Sequence, residues 1–395
     1  MLSLEEFKAK RGRQISKKYE IDLLIASLPE NIYYYSNFDN VGLKILSTTQ
    51  SYMVYNPYNE QKSLVVSASD APTVVENANF NEIYCVGNFQ FYIPNLEDKF
   101  SSQVAEKIEV RYSTALEALK AAIKKMAPNA KKVAVDESRI PIGTYRQLEA
   151  SFPEIEFVLG ATIFQKIRLI KHTDEIALIE KSANIAEESL ATITHLIEPG
   201  ISEYELGVAY ATEIASRGAY PYFYVVTCDE RAAFSDTCNQ PFQKVKNGSV
   251  LRFDFGCIYQ NYRSDLARTV VVGSNPKAEE YYKYILEGEE TAIDAIKPGI
   301  RAEEVFDIAV KTVQKSMPHY ARHHCGHGIG LEVYDPPSIA PGISTELQEG
   351  MTLCVETPYY EISWGGIQVE DTIVITKTGT RYLSNSSRKL LKVGE

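Results

Sequence analysis

At 395 residues the chain is too long for one comfortable hydrophobic core, and two domains are expected. Its 45% hydrophobic and 24% charged residues are ordinary for a globular protein, and no apolar run approaches the roughly 18 residues that a membrane span needs. The formal charge of −11 is spread along the chain, which argues against a nucleic-acid partner, because such sites need clustered lysine and arginine.

The opening "MLSLEEFKAKRGRQISKKYE" is charged and helical in character, with no apolar h-region behind it. "IDLLIAS", "SYMVYNP" and "KSLVVSA" are short apolar runs that fit strands. The tyrosine-rich "NIYYYSNF" is expected to pack on an edge strand. "STALEALKAAIKKMAP" fits a helix that stops at Pro128, and "KKVAVDE" fits a further strand. Strand–helix alternation over residues 1–160 implies a small α/β domain.

From about residue 165 the pattern changes to long helices around a β region. The first helix is expected from Thr173 to Ile197, with Thr173 as N-cap and Asp174 and Glu175 in its first turn. Ser202 and Glu205 have the spacing of a capping box for the second helix. "KAEEYYKYILEGEETAIDAI" and "AEEVFDIAVKTVQKS" are the third and fourth. Helices on one side of an antiparallel sheet make residues 165–395 an α+β domain. The six cysteines, at 85, 228, 238, 257, 325 and 354, form no C-x-x-C pair, which implies reduced thiols in a cytoplasm.

The chemistry concentrates in the second half. "SVLRFDFGCIYQNYRSDLARTVVVG" has the signature of a hairpin turning around Tyr259–Gln260, which places Asp254 across from Asp265 on one face. Two opposed acids repel, so either a cation lies between them or the register differs and one is exposed. Glu356 in "MTLCVETPYY" and Glu370 in "GGIQVEDTIVIT" stand in apolar strands, where a carboxylate is costly unless paired or metal-bound; an edge-strand acid is the other reading. His327 in "CGHGIG" has glycines on both sides that let neighbours approach. Four carboxylates and one imidazole match two divalent cations of the hard to borderline kind, Mn²⁺ first, with Co²⁺, Fe²⁺ and Zn²⁺ acceptable. Two such cations can hold a bridging hydroxide and polarise a scissile carbonyl.

"FDFG…YRSDLART", "GHGIGLEVYDPP", "ETPYY" and "GGIQVED" occur in this order and resemble the motifs of the pita-bread family of methionine aminopeptidase, aminopeptidase P, prolidase and creatinase. The resemblance covers the whole chain and implies a smaller creatinase-like α/β N-terminal domain before a catalytic domain with helices packed on a curved antiparallel sheet. It carries Asp254, Asp265, His327, Glu356 and Glu370 over as ligands of two metal ions. It makes Asp265 and Glu370 bridging and gives Glu356 the proton of the nucleophilic water. The implied activity is Xaa-Pro aminopeptidase or prolidase-like hydrolysis of short peptides, in a homodimer.

Three positions depart from the pattern. Tyr334 stands where the peptidases usually carry a pocket histidine, and a neutral phenol donates a hydrogen bond without shuttling protons. Thr237 replaces another pocket histidine, and Gln368 replaces an arginine beside the ligand carboxylates. These changes leave room for a metal-dependent hydrolase or lyase acting on a small non-peptide C–N substrate, or for a non-catalytic binding relative. His323 and His324 are either a substitute donor or structural. Arg268 is expected to neutralise nearby carboxylates. Cys325 and Cys354 fall on the ligand face, as small fillers before soft metal contacts. Trp364 either walls the pocket or packs, and Tyr222, Phe223 and Tyr224 are expected to pack in the core.

Overall fold

The computed structural model describes residues 2–46 and 48–394. The chain divides into two compact units between Arg168 and Leu169. The first unit is a seven-stranded sheet built from β1 (Leu23–Ala26), β2 (Tyr52–Tyr55), β3 (Lys62–Ser67), β4 (Glu82–Val86), β5 (Arg111–Tyr112), β6 (Lys132–Val135) and β7 (Glu156–Leu159). The order is β5-β4-β3-β2-β1-β6-β7; β2 is antiparallel to both neighbours and the remaining pairs are parallel. The central strands are buried along their whole length, which is why they are continuous apolar runs rather than alternating ones.

"NIYYYSNF" forms a helix, Pro29–Ser36, and not the expected strand. Pro29 presets the first turn, and the buried Asp136 carboxylate accepts from Leu28 N–H (2.8 Å) and Asn31 Nδ2 (2.8 Å). These anchoring contacts come from one residue more than a hundred positions away, so the local pattern could not announce them. Tyr34 and Tyr35 are buried, the latter stacked on Tyr55 at 4.1 Å between ring centroids.

The second unit carries β8 (Tyr220–Cys228), β9 (Val250–Tyr259), β10 (Tyr262–Arg263), β11 (Leu266–Val272), β12 (Gly326–Gly328), β13 (Asp335–Ser338), β14 (Thr352–Glu356), β15 (Tyr359–Glu361), β16 (Gly365–Ile367), β17 (Glu370–Ile375), β18 (Thr380–Tyr382) and β19 (Leu391–Val393). The main sheet runs β10-β9-β11-β17-β14-β12-β13, with β8 on β9, β18 on β17 and β19 parallel to β11. Strand alternation divides its two faces. Leu251, Phe253, Phe255 and Cys257 of β9 pack with Ile185 and Leu190 of the helix Thr173–Ile193 and with Leu206 and Ile214 of the helix Glu203–Ser216. Leu353 and Val355 of β14, with Ile373 of β17, pack with Ile293 of the helix Pro276–Ala295 and Val305 of the helix Ala302–Gln314. Each such side chain contributes roughly 1.5–3 kcal/mol of burial, which commits the odd-numbered face of these strands to the helices and turns the even-numbered residues away.

The Ser202–Glu205 capping box is present, with Ser202 N–H donating to Glu205 Oε2 and Glu205 N–H to Ser202 Oγ. The preceding helix starts and ends differently from expectation. Its N-cap is His172, whose Nδ1 accepts from Asp174 N–H (3.2 Å), and its α-helical part ends at Ile193 in a 3₁₀ turn, Thr194–Leu196.

Candidate metal centre

Pairing across the sheet lines up the acids. Asp254 faces Ala267, Ala267 faces Glu370, and Glu370 faces Glu356, so three carboxylates occupy one transverse row on the face away from the helices. Cys354, two residues before Glu356, faces His327, and Asp265 precedes Ala267 by two, so both His327 and Asp265 join the same face.

The hairpin register differs from expectation. The turn is Gln260–Asn261, both at positive φ (47° and 69°) as a type I′ turn requires, and so lies one residue later than Tyr259–Gln260. Asp254 is therefore not across from Asp265, and the directly opposed acids are Glu356 and Glu370. Moving a turn by one residue shifts the register by two, and a period of two leaves Asp265 on the same face. At the break before β11 the Ser264 carbonyl closes on Gly256, where a Cβ would sit 2.1 Å from that oxygen.

His327 is held from both sides. Its Nδ1 donates to Gly328 O (3.0 Å), which turns Nε2 toward Asp265 Oδ2 (3.4 Å) and Glu370 Oε1 (3.9 Å). Gly326, at φ +132°, lets β14 approach: a Cβ there would meet Cys354 O at 2.0 Å. One donor atom from each of Asp265, His327, Cys354 and Glu370 lies within 4.8 Å of the others. Cys354 Sγ is near Thr372 Oγ1 and Asp265 O (3.6 Å each), and burial pushes its thiol well up. Cys325 instead belongs to the apolar cluster with Leu353 and Val355.

Burial raises every carboxyl of the set. Asp254 and Asp265 are pushed up to about 6; Arg252 opposes the shift at Asp254, and His327 opposes it at Asp265. Glu356 is raised against the pull of Arg322, and Glu370 is raised well above its ordinary value by burial and then by Asp265 and Glu356. Burial pulls the His327 imidazole down, but Asp265, the Gly328 carbonyl and Glu356 together outweigh it and the net shift is upward. Asp265 Oδ1 and Glu370 Oε1 are buried without a hydrogen-bond partner. Crowded oxygens with mutual repulsion and unused lone pairs are what hard divalent cations satisfy, so this donor set fits the group.

Four further side chains enclose the carboxylates. Gln368 Nε2 donates to Glu356 Oε2 and Glu370 Oε2 (3.2 Å each), and its Oε1 accepts from Arg252 Nη1 (2.9 Å) and Tyr360 OH (3.3 Å). Arg252 also donates to Asp254 Oδ2 (3.1 Å). Arg322 Nη2 lies 3.8 Å from Glu356 Oε2, and His324 Nδ1 lies 3.2 Å from Glu356 Oε1. Burial, ahead of His323 and Arg322, lowers His324 to about 4. Arg252, Arg322 and Tyr360 were missed in the sequence. For Arg252 the signal was available: in "RFDFG" it precedes Asp254 by two and must share its face.

The set floors a cavity of about 550 Å³. Tyr222, Phe223 and Tyr224 line it from the edge strand β8; Tyr222 is exposed there, whereas Tyr224 also packs, as expected, against the helix-side core beside Tyr210. Thr237, Tyr334 and Gln368 line it as well. Tyr334 is 62% exposed, its ring 4.1 Å from that of His327. Burial and the four carboxylates raise its phenol, which stays protonated and able to donate.

Arg268 and His323, both expected at the site, lie elsewhere, as does Trp364, for which the sequence left the pocket wall or packing open. Arg268 is on the helix-side face, where it pairs with Asp371 (2.7 Å) and Glu187 (3.4 Å) and touches Glu370 only through its carbonyl (2.8 Å). One step along a strand from Ala267 reverses the direction of the side chain. His323 is exposed, with its ring edge-on to His324. Trp364 packs against Tyr281 and Tyr359 under Lys277.

Such a donor set beneath a substrate-sized cavity defines a metallohydrolase. Residues 177–377 match the Metallopeptidase family M24 model, and residues 8–170 match the Creatinase/Prolidase N-terminal domain. The chain belongs to metallopeptidase family M24. It is 32% identical over 259 residues to the Xaa-Pro dipeptidase of Pyrococcus horikoshii, covering 65% of this chain and 74% of that protein. Against the Xaa-Pro dipeptidase of Pyrococcus furiosus it is 32% identical over 240 residues, covering 60% and 69%. Its structure superposes on the prolidase from Pyrococcus horikoshii OT3 with a TM-score of 0.79 and 26% identity, covering 97% of this chain and 99% of that one.

Proposed function

We propose that the protein is a cytoplasmic, homodimeric Xaa-Pro peptidase whose centre holds two divalent cations, Mn²⁺ by preference, on Asp254, Asp265, His327, Glu356 and Glu370. The observation that carries this reading is the single face on which four carboxylates and one imidazole converge, with two orphaned oxygens, at the floor of the cavity. The two curated relatives bear the name Xaa-Pro dipeptidase, which supports a short proline peptide as substrate.

When bound, the cations supply an acidified water and a polarised carbonyl. The rest is done by the chain. Glu356, its carboxyl raised by burial, takes the proton of the attacking water and returns it to the leaving amine. Tyr334 donates its phenolic hydrogen to the substrate or the developing oxyanion. Gln368 fixes the orientation of Glu356 and Glu370. Tyr222 and Phe223 wall the substrate and exclude water.

Metal analysis of protein purified without chelator, followed by Mn²⁺-supplemented assays on Xaa-Pro dipeptides and tripeptides, tests this reading. About two metals per chain with cleavage after the first residue is expected. Tyr334, where a pocket histidine is usual in the peptidases, favours one other reading: a small non-peptide C–N substrate. Bound metal without peptide cleavage would select it.

Metal loading is expected to weaken on acidification. Asp254 and Asp265 titrate at about 6 in the folded metal-free chain, against an ordinary 3.8. Between those values the folded apo chain binds protons that the unfolded chain does not, so the penalty from these groups is relieved as pH falls. The same protons compete with cations for the same oxygens. The gain in Tm on adding Mn²⁺, measured by calorimetry against chelated protein, should therefore shrink from about pH 7.5 to about pH 5.5. A gain that does not change with pH contradicts the assignment.

A further inference from the structure

Arg252 lies in β9 two residues before Asp254, and its side chain is fully buried. A guanidinium has five N–H groups, and here each has an acceptor. Nη1 serves the carboxylate side, donating to Asp254 Oδ2 (3.1 Å) and Gln368 Oε1 (2.9 Å). Nε donates to Ala232 O (3.0 Å), and Nη2 to Phe234 O (2.8 Å) and Ser235 O (2.5 Å). Those three carbonyls lie in the 3₁₀ turn Asp229–Ala233 and the segment after it, which brings Thr237 to the cavity.

We infer that Arg252 is a positioning residue that couples the carboxylate site to the pocket wall, so that metal loading and the order of residues 232–237 favour each other. The planar fork is rigid, so an orientation imposed at one edge is imposed at the other. Cations that fix Asp254, and Glu356 and Glu370 through Gln368, narrow the orientations open to the guanidinium and so hold the three carbonyls in place. By linkage, an ordered wall favours metal binding equally. The inference rests on the metal-centre reading but not on the identity of the substrate.

The test uses the full chain stripped of metal, titrated with Co²⁺ by visible absorption, with hydrogen–deuterium exchange read over residues 229–240. In the wild type, Co²⁺ is expected to slow exchange in this segment. Arg252→Met should weaken Co²⁺ binding by about 10- to 100-fold and speed exchange there. Adding Gln368→Arg to that variant returns a cation to Glu356 and Glu370 without restoring the carbonyl tether, so exchange should stay fast and ignore Co²⁺ while affinity stays below that of the wild type. Arg252→Lys, which keeps the charge and loses the fork, should bind Co²⁺ more weakly than the wild type and exchange fast with or without Co²⁺, and it decides the matter if Arg252→Met fails to fold; wild-type affinity with fast exchange would overturn the coupling. Unchanged affinity in Arg252→Met, or exchange in the wild type that ignores Co²⁺, would overturn the coupling. Neither readout needs turnover, so a chain that shows both effects but cleaves no proline peptide sinks only the peptidase reading.

Discussion

Asp265→Ala, purified without chelator, should carry essentially no bound metal and show no peptide hydrolysis above background, yet its apo form should melt no lower than the apo wild type. Asp265 is buried, its Oδ1 has no partner, and its Oδ2 is 3.4 Å from His327 Nε2. Deleting it removes a donor from the centre of the set and, in the metal-free protein, removes one of four carboxylates that burial and mutual repulsion hold above their ordinary range. Sites built for a ligand are strained without it, so their removal often stabilises. A structural carboxylate should behave oppositely. Asp371, one residue from Glu370 but on the helix side, accepts from Arg268 (2.7 Å) and Ser384 Oγ (2.6 Å), and its loss leaves the buried guanidinium only the more distant Glu187 (3.4 Å), at a cost of up to about 3–5 kcal/mol. Elemental analysis and calorimetry in chelator check both. Asp265→Ala with undiminished metal, or melting as low as Asp371→Ala, would remove the basis for the metal centre.

Glu356→Gln should lower kcat by about 10²- to 10⁴-fold at saturating Mn²⁺, the usual worth of a positioned general base. The amide keeps the shape and one donor oxygen but cannot accept the proton of the water. Glu356 is buried among charged and polar partners: Glu370 faces it across the strands, Gln368 donates to its Oε2 (3.2 Å), and Arg322 stands 3.8 Å away. Burial raises its carboxyl, which makes it a better proton acceptor than an ordinary carboxylate, and the neutral isostere also relieves the repulsion with Glu370. The measurement is kcat and KM over a Mn²⁺ series with metal content determined in parallel. A variant that retains metal and more than about a tenth of the rate shows that the proton goes elsewhere.

Much of the centre was legible because strands have a period of two. An acid inside "TLCVET" or "IQVEDT" breaks an apolar run, and glycines around His327 signal close approach, so each residue is conspicuous within its own segment. The face on which each lies follows from alternation, and survived an error in the hairpin turn because register moves in steps of two. The error itself came from Gln260 and Asn261, which adopt positive φ although neither is glycine. The tyrosine helix failed for a related reason: the carboxylate that anchors its start, Asp136, lies over a hundred residues away.

By itself, then, the sequence determined the two-part order of elements, the apolar face of each strand and the donor types of the centre, because these depend on residue chemistry and on short periods. Only the tertiary structure decided which acids oppose each other, that Arg268 serves the far side of the sheet, and that Arg252 and Arg322 serve the near one. An arginine in a strand looks the same locally whether it meets solvent or, through Gln368 116 positions away, a buried carboxylate. Long-range strand pairing selects between the two, since a buried guanidinium persists only where its partners are brought to it.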